Sequence, residues 1–175
     1  MLLEHGYSDL GVQALLERTD VPKGSFYHHF PSKEAMALEA VDLYMSLGHQ
    51  VLEATLAPNG ASPRRRVRSF FERMREFYAS QGYLGCLLGG LGQELAATSE
   101  VFRKKIEVCV ASIVSRIAVC LEEERQQGEP PADGDAHGYA DLLVNAWEGA
   151  ALRSRLMRSP EPLDRFLDFY FPGSK

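Results

Sequence analysis

Residues 12–33, VQALLERTDVPKGSFYHHFPSK, limit what this chain can fold into more than any other stretch. Apolar Val12, Leu15 and Leu16 fall at i, i+3 and i+4, the spacing of one helix face. The polar run Arg18, Thr19, Asp20 breaks that pattern, Val21 resumes it, and Pro22 follows. Proline suits a first helical turn, where its missing N–H has no partner to lose. A second helix is expected over residues 22–29, with Val21, Phe26 and Phe30 as its apolar anchors. Lys23, Gly24, Ser25, Tyr27 and His28 are left on its outer side, with His29 beside them. Short helix, turn, short helix is a helix-turn-helix, whose second helix is the one that enters a DNA major groove.

KGSFYHHFPSKEAM, preceded by a helix ending at Val21, resembles the DNA-binding domain of the TetR family of bacterial transcriptional regulators. The likeness runs over residues 2–44, with turn, aromatics, PSK step and following helix in order. It implies an all-helical homodimeric repressor with a ligand-responsive C-terminal domain. By the same resemblance Tyr27 and Lys33 hold phosphates, while Lys23, Ser25, His28 and His29 face base edges or the adjacent backbone. Gly24 lets the helix approach the groove, and Gln13 reaches a base or phosphate. The residue types agree: Tyr, Ser and Lys donate to phosphate oxygens, and Lys or Gln reads major-groove acceptors. The alternative for Tyr27 is a core aromatic with a satisfied hydroxyl.

The net charge of −5 bears on that reading. Up to Lys33 the cations Arg18, Lys23 and Lys33 face Glu4, Asp9, Glu17 and Asp20, so 3 − 4 = −1. Only charges near phosphates release counterions, so an acidic total permits DNA binding but with a shallow electrostatic term. Family members carry further turns, often with a basic arm, ahead of the segment where Met1 stands; the expectation is a start upstream, a trimmed chain or a shortened first helix. Operator affinity depends on which; fold identity does not.

No apolar run approaches the ~20 residues that span a bilayer, no signal-peptide pattern opens the chain, and a cytoplasmic protein is expected. Three cysteines without a CxxC pair argue against a disulfide scaffold or zinc site. The five histidines are scattered, and His28 and His29 are expected on different helix faces. With no triad or metal-ligand spacing, neither enzyme nor cofactor is expected.

Ser32 is placed to cap a long helix over residues 33–56, which links the two parts and in the family transmits the ligand signal. We divide the chain into a helix-turn-helix domain, 1–47, and a helical ligand-binding and dimerisation domain, 48–175. APNGASP breaks the chain before a helix from Pro63 to near Gly82. That helix is rich in arginine, but Val67, Phe70, Phe71, Met74, Phe77 and Tyr78 give it an apolar face, so the arginines read as a solvated face. GYLGCLLGGLGQEL lacks the Lys-Ser/Thr of a phosphate loop and reads as a short, closely packed helix. It resembles a TetR branch that senses reactive electrophiles such as quinones, aldehydes and acrylate-like compounds. That resemblance makes Cys86 a candidate sensor thiol, with an inert core cysteine as the alternative.

Ser99 is placed to cap a central helix over residues 100–127, where Cys109 and Cys120 share a face as packing residues. A loop is expected over 128–135, a helix over 136–158, a break at 159–162 and a last apolar helix over 163–171. In the family the last two helices form the dimer's four-helix bundle, and the surplus apolar surface of the final helix fits that role. Tyr78, Cys86, Phe102, Cys109, Trp147 and Glu148 are the candidate pocket residues, suited to a small apolar or electrophilic ligand. The alternative for each aromatic is core packing. Two functions follow: a repressor released from a palindromic operator by an effector, or a thiol sensor in which Cys86 modification releases DNA.

Overall fold

The computed structural model describes residues 1–126 and 135–173. Among these residues all regular structure is helical. In chain order the helices are α1 (Leu2–His5), α2 (Val12–Thr19), α3 (Lys23–His29), α4 (Lys33–Leu56), α5 (Pro63–Ser80), α6 (Leu87–Leu95), α7 (Glu100–Gln126), α8 (Ala136–Met157) and α9 (Glu161–Tyr170). The expected loop over 128–135 lies, apart from Asp135, outside the described residues.

Side-chain oxygens set several helix starts by accepting from otherwise orphaned amides. Ser32 accepts from the Ala35 N–H at 3.0 Å, Ser62 from Arg65 at 3.3 Å, and Asp135 from His137 at 3.1 Å. Ser99 accepts from Phe102 at 3.4 Å, as its position before α7 led us to expect. The final helix starts earlier than expected. Pro162 does not break it but occupies its first turn, where a missing N–H costs nothing. Phe171, expected within it, leaves the helix and folds back into the core, fully buried.

The core divides into two apolar clusters. The larger joins α5, α7, α8 and α9 around Phe71, whose ring meets Trp147 at 5.0 Å and Phe166 at 4.9 Å between centroids. The second joins α4, α6 and α7 through Val41, Leu91, Phe102 and Ile106, with Leu2, Leu3 and Tyr7 of the N-terminal part packed against it. Helix α1 and the turn after it therefore rest on the α4–α6–α7 cluster. Cys109 and Cys120 are buried free thiols, each within one of these clusters.

Arg73 lies on the solvated face expected of the α5 arginines and Arg64, Arg65 and Arg75 are partly exposed, but Arg66 and Arg68 leave that face. Arg66 is 3% exposed and Arg68 is also buried. Arg66 donates to the Leu56 carbonyl and to Glu123 of α7, and Arg68 donates to the Phe171 carbonyl at 2.7 Å and to Glu72 at 2.7 Å. Arg64 pairs with Glu124 at 3.0 Å. Buried guanidinium groups persist only when paired, and here the pairing ties α5 to the far end of α7 and to the turn after α9. A count of arginines along one helix could not foresee partners about 60 and 100 residues away.

Candidate functional site

Phe26 supplies the buried anchor of the helix-turn-helix, with the half-buried Phe30 beside it, and Leu16 is the buried residue of α2. Between α2 and α3 the chain turns through Asp20 at φ 53°, a left-handed conformation that aspartate tolerates better than most residues. The turn leaves Gln13, Lys23, Gly24, Ser25, Tyr27, His28 and His29 all exposed. Tyr27 is 47% exposed and meets Phe26 edge-on at 5.1 Å, so the core-aromatic alternative does not describe it. Nothing lies within 4 Å of where a side chain on Gly24 would start, which leaves open space on that face. His28 and His29 were expected on different faces, yet their rings meet edge-on at 5.2 Å. Gln13 donates to Glu17 at 3.0 Å one turn on.

Lys33, expected to hold a phosphate, has partners within the chain. Its ammonium is half-buried, donating to the carbonyls of Tyr7 at 2.8 Å and Leu10 at 3.0 Å. These bonds fasten α4 to the turn between α1 and α2. A lysine has three donors; two are committed here and the group also lies against the Tyr7 ring.

A cavity of about 400 Å³ opens among α4, α5, α6 and α8. Tyr78, Cys86, Trp147 and Glu148, four of the six expected pocket residues, line it together. Phe102 and Cys109 do not. They belong to the second cluster, where Phe102 packs against Tyr7 at 5.3 Å, beneath the N-terminal part. Periodicity marked both as inward-facing but could not say which of two interiors they enter. The sequence reading missed Tyr44, Phe70, Phe71, Met74 and Phe77, which also line the cavity. The signal was present: Phe70, Met74 and Phe77 fall at i, i+4 and i+7, and α4 is apolar beyond what one packed face needs.

The polar groups gather at one end of this cavity. The Tyr44 hydroxyl points at Cys86 Sγ from 3.9 Å, and the Cys86 thiol bonds to the Glu148 carboxyl. Burial raises the Glu148 pKa above the ordinary carboxyl value, only partly opposed by the Cys86 bond. Burial, then the neighbouring Cys86, raises Tyr44 as well, and burial raises Tyr78. For Cys86, burial and then the Glu148 charge push the thiol up to about 12. Reactive cysteines are shifted downward by cations or helix N-termini; Cys86 does cap the N-terminus of α6 and the Gly89 N–H works to lower it, but burial and Glu148 outweigh that, against the thiol-sensor alternative. Gly89 completes the arrangement, since a Cβ there would collide with Glu148 Oε2. Among the described residues no group of three or more His, Cys, Asp or Glu could hold a metal ion, and no helix is long and apolar enough to cross a membrane.

Comparison with known proteins agrees with both halves of this architecture. Residues 1–40 match the family model for bacterial regulatory proteins of the tetR family, and residues 63–170 match the tetracyclin repressor-like C-terminal domain. The chain is 34% identical over 171 residues to the HTH-type transcriptional repressor DhaR of Mycobacterium sp. (strain GP1), covering 98% of this chain and 85% of that protein. It is 36% identical to the transcriptional regulator AcuR of Cereibacter sphaeroides, over 94% of this chain and 76% of that one. Among solved structures, the regulatory protein TetR from Rhodobacter sphaeroides superposes with a TM-score of 0.91 at 35% identity, over 97% and 90% of the two chains. The reduced form of E. coli NemR gives 0.87 at 29% identity, over 97% and 89%. The chain belongs to the TetR family of bacterial regulatory proteins, DNA-binding transcriptional regulators that bind operators as dimers.

Proposed function

We propose that this regulator is a dimeric repressor whose α3 docks in the major groove of its operator, and that a small, mostly apolar effector in the α4–α5–α8 cavity releases it. The observation that carries this reading is the course of α4. It begins at the Ser32 cap directly after the recognition motif and runs on to line the cavity with Tyr44, Met45, Gly48, Val51 and Leu52. Occupying the cavity acts on the helix that carries the DNA-binding part. Lys23, Ser25, Tyr27 and His28, with Gly24 for close approach and Gln13 and His29 at the edges, form the DNA-facing set. Lys33 acts from behind them by holding the motif together. The exposed apolar residues Leu142, Leu152, Leu156 and Met157 of α8 and Phe169 of α9 are the surface for the second copy. The effector class follows from the lining: aromatic and aliphatic walls for an apolar body, and Tyr44, Tyr78, Cys86 and Glu148 at one end for a single polar group.

Trp147 is the one tryptophan of the chain and lines the cavity, so its fluorescence reports occupancy. In a panel of small apolar compounds, those that change Trp147 emission should weaken binding to the DNA upstream of the gene over the same concentration range. Compounds that fill the cavity, by this signal, and leave DNA affinity untouched would contradict release by an effector.

A further inference from the structure

Besides the apolar packing of Leu2, Leu3 and Tyr7, a carboxylate ties the N-terminal part to α6. Glu94, in the last turn of α6, accepts from the Tyr7 N–H at 2.8 Å and from the Ser8 N–H at 2.5 Å. These amides lie in the turn between α1 and α2, the turn whose carbonyls accept from Lys33. Gly6 makes the approach possible in two ways. Its φ is +76°, and a Cβ on it would sit 2.8 Å from Glu94 Oε2. Burial works to raise the Glu94 carboxyl, but the bonds from Ser8 and Tyr7 and the charge of Lys33 outweigh it and leave it below its ordinary pKa.

The other end of α6 belongs to the cavity. Cys86, its N-cap, and Leu88 line the cavity wall, and Gly89 receives Glu148 of α8. The helix is nine residues long, about 13 Å at ~1.5 Å per residue. A second, smaller cavity of about 170 Å³ separates its flank from α1 and α8, bordered by Leu2, Leu3, Gly90, Leu91 and Arg155. Its buried leucines pack α6 against α4 and α7, and the free space lies along the remaining flank, toward α1 and α8.

We infer that Glu94 is a positioning residue of the regulator: it makes α6 a direct link from the cavity to the α1–α2 turn, acting beside α4. The link rests on the cavity reading above. A displacement of the Cys86–Gly89 end moves Glu94, and with it the backbone that Lys33 fastens to the recognition motif.

The test needs no effector. A side chain at Gly89 must displace either the Glu148 carboxyl or α6 itself, a wedge between the two, and Glu94→Gln removes the charge while keeping the shape. Gly89→Val is the stronger wedge and Gly89→Ala the milder one should valine prevent folding, which far-UV circular dichroism reports. Exchange of the Tyr7 and Ser8 amides should quicken by about tenfold in Glu94→Gln, since their acceptor is weakened. The wedge should quicken it only where Glu94 is intact. Affinity for the upstream DNA should fall by about tenfold on adding the wedge to the wild-type chain, and by much less on adding it to Glu94→Gln, a coupling of the usual allosteric size. Equal effects of the wedge in both backgrounds, or unchanged amide exchange in Glu94→Gln, overturn the link. A wild-type chain that fails to bind the DNA overturns the repressor reading instead, and the amide exchange still decides whether Glu94 couples the two ends.

Discussion

The Lys33 ammonium lies 4.2 Å from the centroid of the Tyr7 ring and donates to the carbonyl oxygen of the same residue at 2.8 Å. One side chain thus holds both the ring and the backbone of Tyr7, in the turn that precedes the recognition motif. Charge-assisted hydrogen bonds in partly buried sites contribute about 1.5–3 kcal/mol each, and the second bond to Leu10 adds to the hold. Lys33→Ala should therefore lower the thermal unfolding midpoint by several degrees, on the order of 3 kcal/mol. Lys23→Ala, on the exposed outer side of α3, should leave the midpoint in place and weaken DNA binding alone. A Lys33→Ala protein with unchanged melting and reduced salt dependence of DNA binding would return that lysine to the phosphates.

Phe71 is 1% exposed and touches the rings of Phe70, Trp147, Phe166 and Phe171. Phe71→Ala leaves a void among rigid aromatics that cannot collapse into it, and should cost about 3–5 kcal/mol by chemical denaturation. A loss near ~1 kcal/mol, as for an ordinary substitution, would mean that the adjoining cavity absorbs the change.

Glu148 sets a pH dependence whose sign follows from its surroundings. Burial raises its folded-state pKa above the ordinary carboxyl value of 4.5. The folded chain therefore holds this proton more tightly than the unfolded chain, and stability is lost as pH rises from that value through the raised one. Glu148→Gln removes the ionisation, so the variant should gain stability relative to wild type between acid and neutral pH, read by thermal unfolding across that range. A stability difference that does not change with pH would place Glu148 in water rather than against Cys86 and Gly89.

The proposed surface for the second copy makes its own prediction. Phe169 is 76% exposed on α9, and Leu156 stands equally bare on α8. A carboxylate at either position inside an apolar interface has no partner and carries a heavy desolvation cost. Phe169→Asp and Leu156→Asp should each halve the mass found by light scattering while leaving the helical content of the monomer intact. A dimer that survives both would put the interface elsewhere.

What could be read from the sequence divides along sequence separation. Ser32 and the apolar spacing after it gave α4 its full extent, and the Val21–Pro22–Lys23 step placed the recognition helix within one residue. Both are local signals, since caps and periodicity act within a turn or two. The placement of Tyr27 on the outer side of α3 and of Cys86, Trp147 and Glu148 at the cavity was legible where a residue's own chemistry stood out. Phe102 and Cys109 were misassigned to the cavity because a helix face tells inward from outward but not one interior from another. Lys33 looked like a phosphate ligand until its carbonyl partners, 23 and 26 residues away, came into view. Glu94 drew no notice for the same reason: its amide partners lie 86 and 87 residues earlier in the chain.

The central claim is that the exposed face of α3 reads DNA. Fluorescence anisotropy on the DNA upstream of the gene, at two salt concentrations and with Tyr27→Phe alongside wild type, tests it most directly. The account predicts specific binding whose logarithmic affinity falls with salt at about 0.9 per phosphate neutralised, and a loss of about 1 kcal/mol in Tyr27→Phe, the worth of one hydrogen bond. Binding to upstream and unrelated DNA with equal affinity, unaffected by Tyr27→Phe, would contradict it.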